Sequence, residues 1–178
     1  SVSAGSAVSF CSGTGGVALA GSATTSSGSL SYSWSPSTGL SSTTTPVTTA
    51  NPASTQTYTL SATAFNGCTI TDQVLITVQP LPVVSIANQT VTTFCNGGSV
   101  VLAPTPTAQG YAWSQGSTPV GSGSTYSAAT SGNYSLVVTN FYPASGIACS
   151  SVPSNAITVT VNPNPNTAIT PSGSTSIC

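Results

Sequence analysis

Tyr32-Ser33-Trp34-Ser35 returns 79 positions later as Tyr111-Ala112-Trp113-Ser114. In both copies two aromatic side chains stand two residues apart, which places them on one face of an extended strand. Neighbouring stretches return with them. Tyr58-Thr59-Leu60 reappears as Tyr134-Ser135-Leu136, and Val74-Leu75-Ile76-Thr77-Val78 as Ile157-Thr158-Val159-Thr160-Val161. Self-similarity at one long period marks a tandem array of a single structural unit. Within each unit apolar residues alternate with polar ones, as at Val17 and Leu19, at Tyr58, Leu60 and Ala62, and at Val100 and Leu102. That period of 2 belongs to strands with one buried face. No segment carries the 3.6-residue period of a helix, and intervals such as Ser26-Ser27-Gly28-Ser29 and Gly121-Ser122-Gly123-Ser124 read as turns between strands. The expected fold class is all-β, a row of sandwiches.

Proline marks the joints. Gln79-Pro80-Leu81-Pro82 separates the two units and Asn162-Pro163-Asn164-Pro165 follows the second. Proline fixes its own backbone and biases its predecessor to extended conformations, so both joints read as stiff linkers. The expected divisions are a first sandwich over 1–80, a second over 81–162, and a linker with the first strand of a third repeat, or of a strand-exchanged module, over 163–178. Residues 166–178 resemble the openings of the first two units and end, as they do, in a cysteine. With no Met and no signal-like start, the chain is expected to be a processed or excised segment.

The charge is the most unusual feature of the composition. The 178 residues include no Lys, Arg, His or Met and one acidic side chain, Asp72, for a net charge of -1; Ser (33) and Thr (30) supply the polarity. Phosphate backbones and anionic lipids are gripped by Lys and Arg, so nucleic acid and acidic membranes are excluded as partners, and no apolar run is long enough to span a bilayer. Ser and Thr nucleophiles abound, but no base is present to activate them, and a lone carboxylate supports neither paired acid–base work nor a calcium site. An enzyme is not expected, nor a cofactor. With 38% hydrophobic residues the chain is not a disordered one, and a nearly neutral surface favours self-association.

The five cysteines fall into two interleaved series. Cys11 to Cys95 is 84 residues, Cys95 to Cys178 is 83, and Cys68 to Cys149 is 81. Zinc is excluded by the absence of His and of any CxxC pair. The expected pairs are disulfides within each unit, Cys11 with Cys68 and Cys95 with Cys149, formed in an oxidising compartment. Cys178 is then half of a pair between modules or subunits, and not a reactive thiol.

The run Tyr32-Ser33-Trp34-Ser35-Pro36-Ser37-Thr38-Gly39-Leu40-Ser41, with Thr55-Gln56-Thr57-Tyr58-Thr59-Leu60 and Asn66-Gly67-Cys68, resembles the PKD-like and Ig-like repeats of large secreted surface proteins of Bacteroidetes-type bacteria. The resemblance implies tandem Ig-like/PKD-like β-sandwich repeats at the cell surface or outside the cell, serving as spacers, stalks, adhesins or fibres. Two departures stand out. Such modules normally carry many Asp and Lys residues, and Cys68 follows Tyr58 by ten positions, not by two as in antibody domains. Any bridge is therefore expected at a sandwich end or edge.

The remaining candidates have plain readings. Tyr32, Trp34, Tyr58, Tyr111, Trp113 and Tyr134 are expected in the cores, although Tyr32, Trp34, Tyr111 and Trp113 in an exposed row would make a sugar-stacking platform. Phe65, Phe141 and Tyr142 fall near hairpin loops and suit packing between repeats. Gly13 to Ala18 matches a loose dinucleotide fingerprint, but a strand is expected after it where the motif requires a helix, and no parallel βαβ unit is present. Asn88-Gln89-Thr90 and Asn133-Tyr134-Ser135 are sequons in form. Thr43-Thr44-Thr45 and Thr48-Thr49 raise the alternative of an ice-binding surface. The leading expectation is a structural segment of an extracellular filament or giant adhesin, partnered by copies of itself, with glycan surfaces as a further candidate partner; the alternative is a carbohydrate- or ice-binding module.

Overall fold

The computed structural model describes residues 1–26, 28–87 and 91–165. The first sandwich is built from β1 (Val2–Ser3), β2 (Val8–Cys11), β3 (Val17–Ala20), β4 (Ser22–Ala23), β5 (Leu30–Ser35), β6 (Val47–Ala50), β7 (Gln56–Ala64) and β8 (Thr69–Gln79). One layer has the order β2-β8-β7-β5; the other holds the pairs β1–β4 and β3–β6. The second sandwich comprises β9 (Ser85–Ile86), β10 (Thr93–Cys95), β11 (Val100–Leu102), β12 (Pro104–Thr105), β13 (Gly110–Gln115), β14 (Thr118–Gly121), β15 (Tyr126–Ala128), β16 (Gly132–Tyr142), β17 (Ile147–Ser150) and β18 (Ile157–Asn162). Its main layer runs β10-β18-β16-β13-β14 with β17 also on β16, and β9–β12 and β11–β15 pair opposite.

The two sheets share a four-strand frame, to which the second adds β14 at its edge. In each, an early strand lies parallel to the last one, β2 on β8 and β10 on β18, while the last, the hairpin strand and the aromatic strand pair antiparallel. This is an Ig-like arrangement of two facing layers. A further mark of it is Tyr134, whose hydroxyl donates to the Thr130 carbonyl four residues upstream at 2.9 Å, the tyrosine corner of such sandwiches. The chain is thus a tandem of Ig-like sandwiches.

The alternating pattern explains the interiors. Along β7, Tyr58, Leu60 and Ala62 point inward, and along β16 so do Tyr134, Leu136 and Val138. Leu19, Trp34, Tyr58, Leu60 and Ile76 form one core; Ile86, Leu102, Trp113, Tyr134, Leu136, Val138 and Val159 form another. Each Trp uses its indole N–H on a loop carbonyl, Trp34 on Thr45 at 3.0 Å and Trp113 on Gly123 at 2.8 Å. A buried polar group without a partner is costly. Among the described residues no buried side-chain nitrogen or oxygen lacks one.

The closing strand differs between the units. β8 is continuous over 11 residues, whereas its counterpart is split into β17 and β18 around Pro153, which has no N–H to give. Two serines mend the ladder. Ser151 donates its backbone N–H to Val138 O at 2.8 Å and accepts the Val138 N–H on its hydroxyl at 3.0 Å. Ser154 does the same with Leu136 at 2.8 and 3.0 Å.

Gly21, between β3 and β4, lies against the first core. A Cβ there would stand 2.6 Å from Leu60 Cδ2 and Pro46 O and 2.7 Å from Trp34 Cζ2. Gly21→Ala is therefore expected to overpack the core and cost about 1–3 kcal/mol, read as a lowered urea midpoint for the first sandwich. An unchanged midpoint would mean that the strand break yields without cost.

Candidate functional site

The feature that joins the two sandwiches is a disulfide between Cys11 and Cys149, with Cα atoms 5.7 Å apart and a sequence separation of 138. This corrects the expected pairs Cys11–Cys68 and Cys95–Cys149: Cys68 and Cys95 are exposed thiols. Strand length is the reason. Cys11 is in register with Gln79 at the end of β8, while Cys68 immediately precedes the start of that 11-residue strand. At about 3.3 Å per residue the two cysteines lie roughly 36 Å apart, far beyond the ~7 Å that a disulfide tolerates between Cα atoms.

The second sandwich repeats the separation. Cys95 pairs in register with Asn162 at the end of β18, and Cys149 with Asn140 near the far end of β16. Each unit thus carries one cysteine at each end. The end of the first bearing Cys11 meets the end of the second bearing Cys149.

Around the bond the contacts are neutral hydrogen bonds. The Tyr142 hydroxyl donates to Pro80 O at 2.8 Å, and Gln79 Nε2 donates to Ser145 Oγ at 3.5 Å. Ser145 Oγ in turn donates to Tyr142 O at 3.2 Å. The hairpin joining β16 to β17 therefore seats on the proline joint. Of the three aromatics noted near hairpin loops, Tyr142 touches the other unit, Phe141 is 48% exposed and Phe65 is 88% exposed.

Trp34, Trp113, Tyr58 and Tyr134 are buried, and Tyr32 and Tyr111 are half-buried at the core margins. Sugar stacking needs exposed ring faces, so these six form no platform. Two of the five candidate threonines are engaged within the sandwich. Thr48 is buried, and its hydroxyl donates to Ser42 O at 2.8 Å; Thr45 Oγ1 donates to Val47 O at 2.8 Å. Cys178, with the rest of residues 166–178, and the sequon at Asn88 lie outside the described residues. In the other sequon, Asn133 Oδ1 accepts from Thr158 Oγ1 at 2.8 Å.

Asp72 fastens the opening strand. Its Oδ2 accepts the Ala4 N–H at 2.8 Å, and this bond, followed by the Gln73 N–H, holds its carboxyl below the usual carboxylate range. At the corresponding position, 83 residues on, Asn155 Oδ1 accepts the Ile86 N–H at 2.8 Å. A neutral amide accepts the same backbone bond there at the same length. Asp72 thus contributes stability above its unfolded pKa of about 3.9, lost as pH falls through the lower folded value. Burial raises the Tyr58 pKa, so its contribution is present below about pH 10 and is lost above. A melting temperature level between pH 5 and 8 is expected, falling only in acid below ~4 and in strong alkali. In Asp72→Asn the acid limb from this site should disappear; a slope near neutrality would reveal another titrating group.

No protein-family model and no curated protein matches the chain. Solved structures similar to it include extracellular domains 3–5 of Drosophila OTK, at 15% identity and a TM-score of 0.48, covering 88% of this chain and 59% of that one. The fibronectin(III)-like modules of Clostridium thermocellum CbhA have 16% identity, a TM-score of 0.40 and coverages of 89% and 90%. Three N-terminal domains of the bacteriophage RB49 outer capsid protein Hoc have 16% identity, a TM-score of 0.37 and coverages of 85% and 56%.

Proposed function

We propose that this chain is a structural repeat segment of an extracellular filament or giant surface adhesin, of the kind found in Bacteroidetes-type bacteria, whose work is to give length and resistance to force and proteolysis. The observation that carries this reading is the Cys11–Cys149 bond, which ties one sandwich to the next. A bond within a sandwich would serve that sandwich alone; a bond between them serves the connection. Disulfides persist in oxidising, extracellular settings, which supports the location. The absence of Lys and Arg removes every trypsin site and every isopeptide cross-link through lysine, so assembly rests on disulfides and on neutral surfaces. The partner on this reading is the same kind of module, head to tail.

Electron microscopy of the native material, with antibody raised against this chain, tests the reading. Label spaced regularly along extended filaments is the expected result. Label confined to dispersed single particles, or to the tip of an appendage built from other subunits, would overturn it.

A further inference from the structure

The bonded junction uses one end of each sandwich, and the opposite ends carry the same chemistry. Cys95 holds in the second unit the place that Cys11 holds in the first. Each closes a strand lying parallel to the last, Cys11 beside Gln79 and Cys95 beside Asn162. The following backbone N–H bonds that neighbour in both, Ser12 to Gln79 O at 2.9 Å and Asn96 to Asn162 O at 2.8 Å. The chain then turns back onto the cysteine carbonyl, through Thr14 N at 3.2 Å and Gly98 N at 3.0 Å.

Cys68 likewise holds the place of Cys149. Six residues after its core tyrosine the hairpin strand reaches Ala64 in one unit and Asn140 in the other. The cysteine lies opposite: Ala64 N donates to Cys68 O at 2.9 Å, and Asn140 is in register with Cys149. The two bonded positions thus have two unbonded counterparts, both exposed. A cavity of about 120 Å³ opens beside Cys68, lined by Leu30, Ala62, Ala64 and Ile70. Phe65 stands at the adjoining tip, 88% exposed, where its counterpart Phe141 is 48% exposed.

We propose that Cys95 of one chain bonds Cys68 of a second copy of this chain, repeating between chains the junction that Cys11 and Cys149 make within one. The inference rests on the filament reading and adds to it the bond that would propagate the filament. The oxidant is a disulfide, R–S–S–R, of the small-molecule or protein class. The thiolate of Cys68 attacks one sulfur and expels R–S⁻; the thiolate of Cys95 then attacks the Cys68 sulfur of the mixed disulfide and expels the second R–S⁻. Two protons leave the cysteines and two R–SH form, so two electrons pass from the protein thiols to the disulfide.

The test uses the 178-residue chain carrying Cys178→Ser, so that Cys178 takes no part, incubated with oxidised and reduced glutathione. C178S alone should give a ladder on a non-reducing gel that collapses with reductant. C68S/C178S and C95S/C178S should each stay monomeric, and equal parts of the two should give a dimer whose peptide map links Cys68 to Cys95. Dimers of either double variant by itself in the same yield, or no ladder while Cys11–Cys149 remains intact, would overturn the proposal. Loss of the ladder with labelled filaments still present in native material would remove this bond and leave the filament reading standing. A ladder without native filaments would do the reverse.

Discussion

Pulled from its two ends, the oxidised chain should refuse to unravel: tension enters along residues 1–11, crosses the Cys11–Cys149 bond, and leaves through the final strand. The 138-residue separation bridged by that bond represents roughly 480 Å of extended chain at ~3.5 Å per residue, all of it outside the load path. Single-molecule force spectroscopy should record no sandwich-unfolding steps of that size before the bond itself fails. After a thiol reductant is added, steps totalling several hundred Å should appear. Full-length unfolding steps in the oxidised protein would show that the bond does not carry the load.

Trp113→Ala should unfold one sandwich and spare the other. Trp113 is fully buried, stacks 6.0 Å from Tyr126 and spends its N–H on Gly123. Truncating a buried Trp costs about 3–5 kcal/mol, a large part of the roughly 5–15 kcal/mol that stabilises a domain. The chain has two tryptophans, so fluorescence in this variant comes from Trp34 alone and reports the first core. In urea, circular dichroism should fall in an early step that Trp34 fluorescence does not follow. Coincident transitions would mean that the junction couples the two cores into one cooperative unit. Trp113→Phe should cost less, since the ring remains and only the indole bond is lost.

The sandwiches were legible in the sequence because their signal is local. Tyr-x-Trp, the alternation through Tyr58, Leu60 and Ala62, and their return in the second unit each follow from the pleat of a strand with one face in oil. The cysteine pairing was not legible from spacing, because two series with one period fit Cys11–Cys68 and Cys11–Cys149 equally well. What separates them is distance along β8, a strand running unbroken from the turn after Asn66-Gly67 to the proline joint. That length could have been read, since Thr69 to Gln79 contains neither Gly nor Pro, but its consequence depends on β2 lying beside its far end. Asn155 was missed for another reason. Its partner is a backbone N–H, which leaves no mark in composition, and only its place opposite Asp72 in the repeat points to it.

The parallel pairing of β2 with β8, and of β10 with β18, decides which way the chain travels. Were the early strand antiparallel to the last, a module's entry and exit would lie at the same end, and successive displacements would cancel in a zigzag. With both strands pointing the same way, entry and exit fall at opposite ends, and each module adds its length as a vector to the one before. Eleven residues of closing strand amount to roughly 36 Å of net advance. A string of such units therefore gains reach in proportion to its number of modules, whereas a flexible chain would gain it only as the square root.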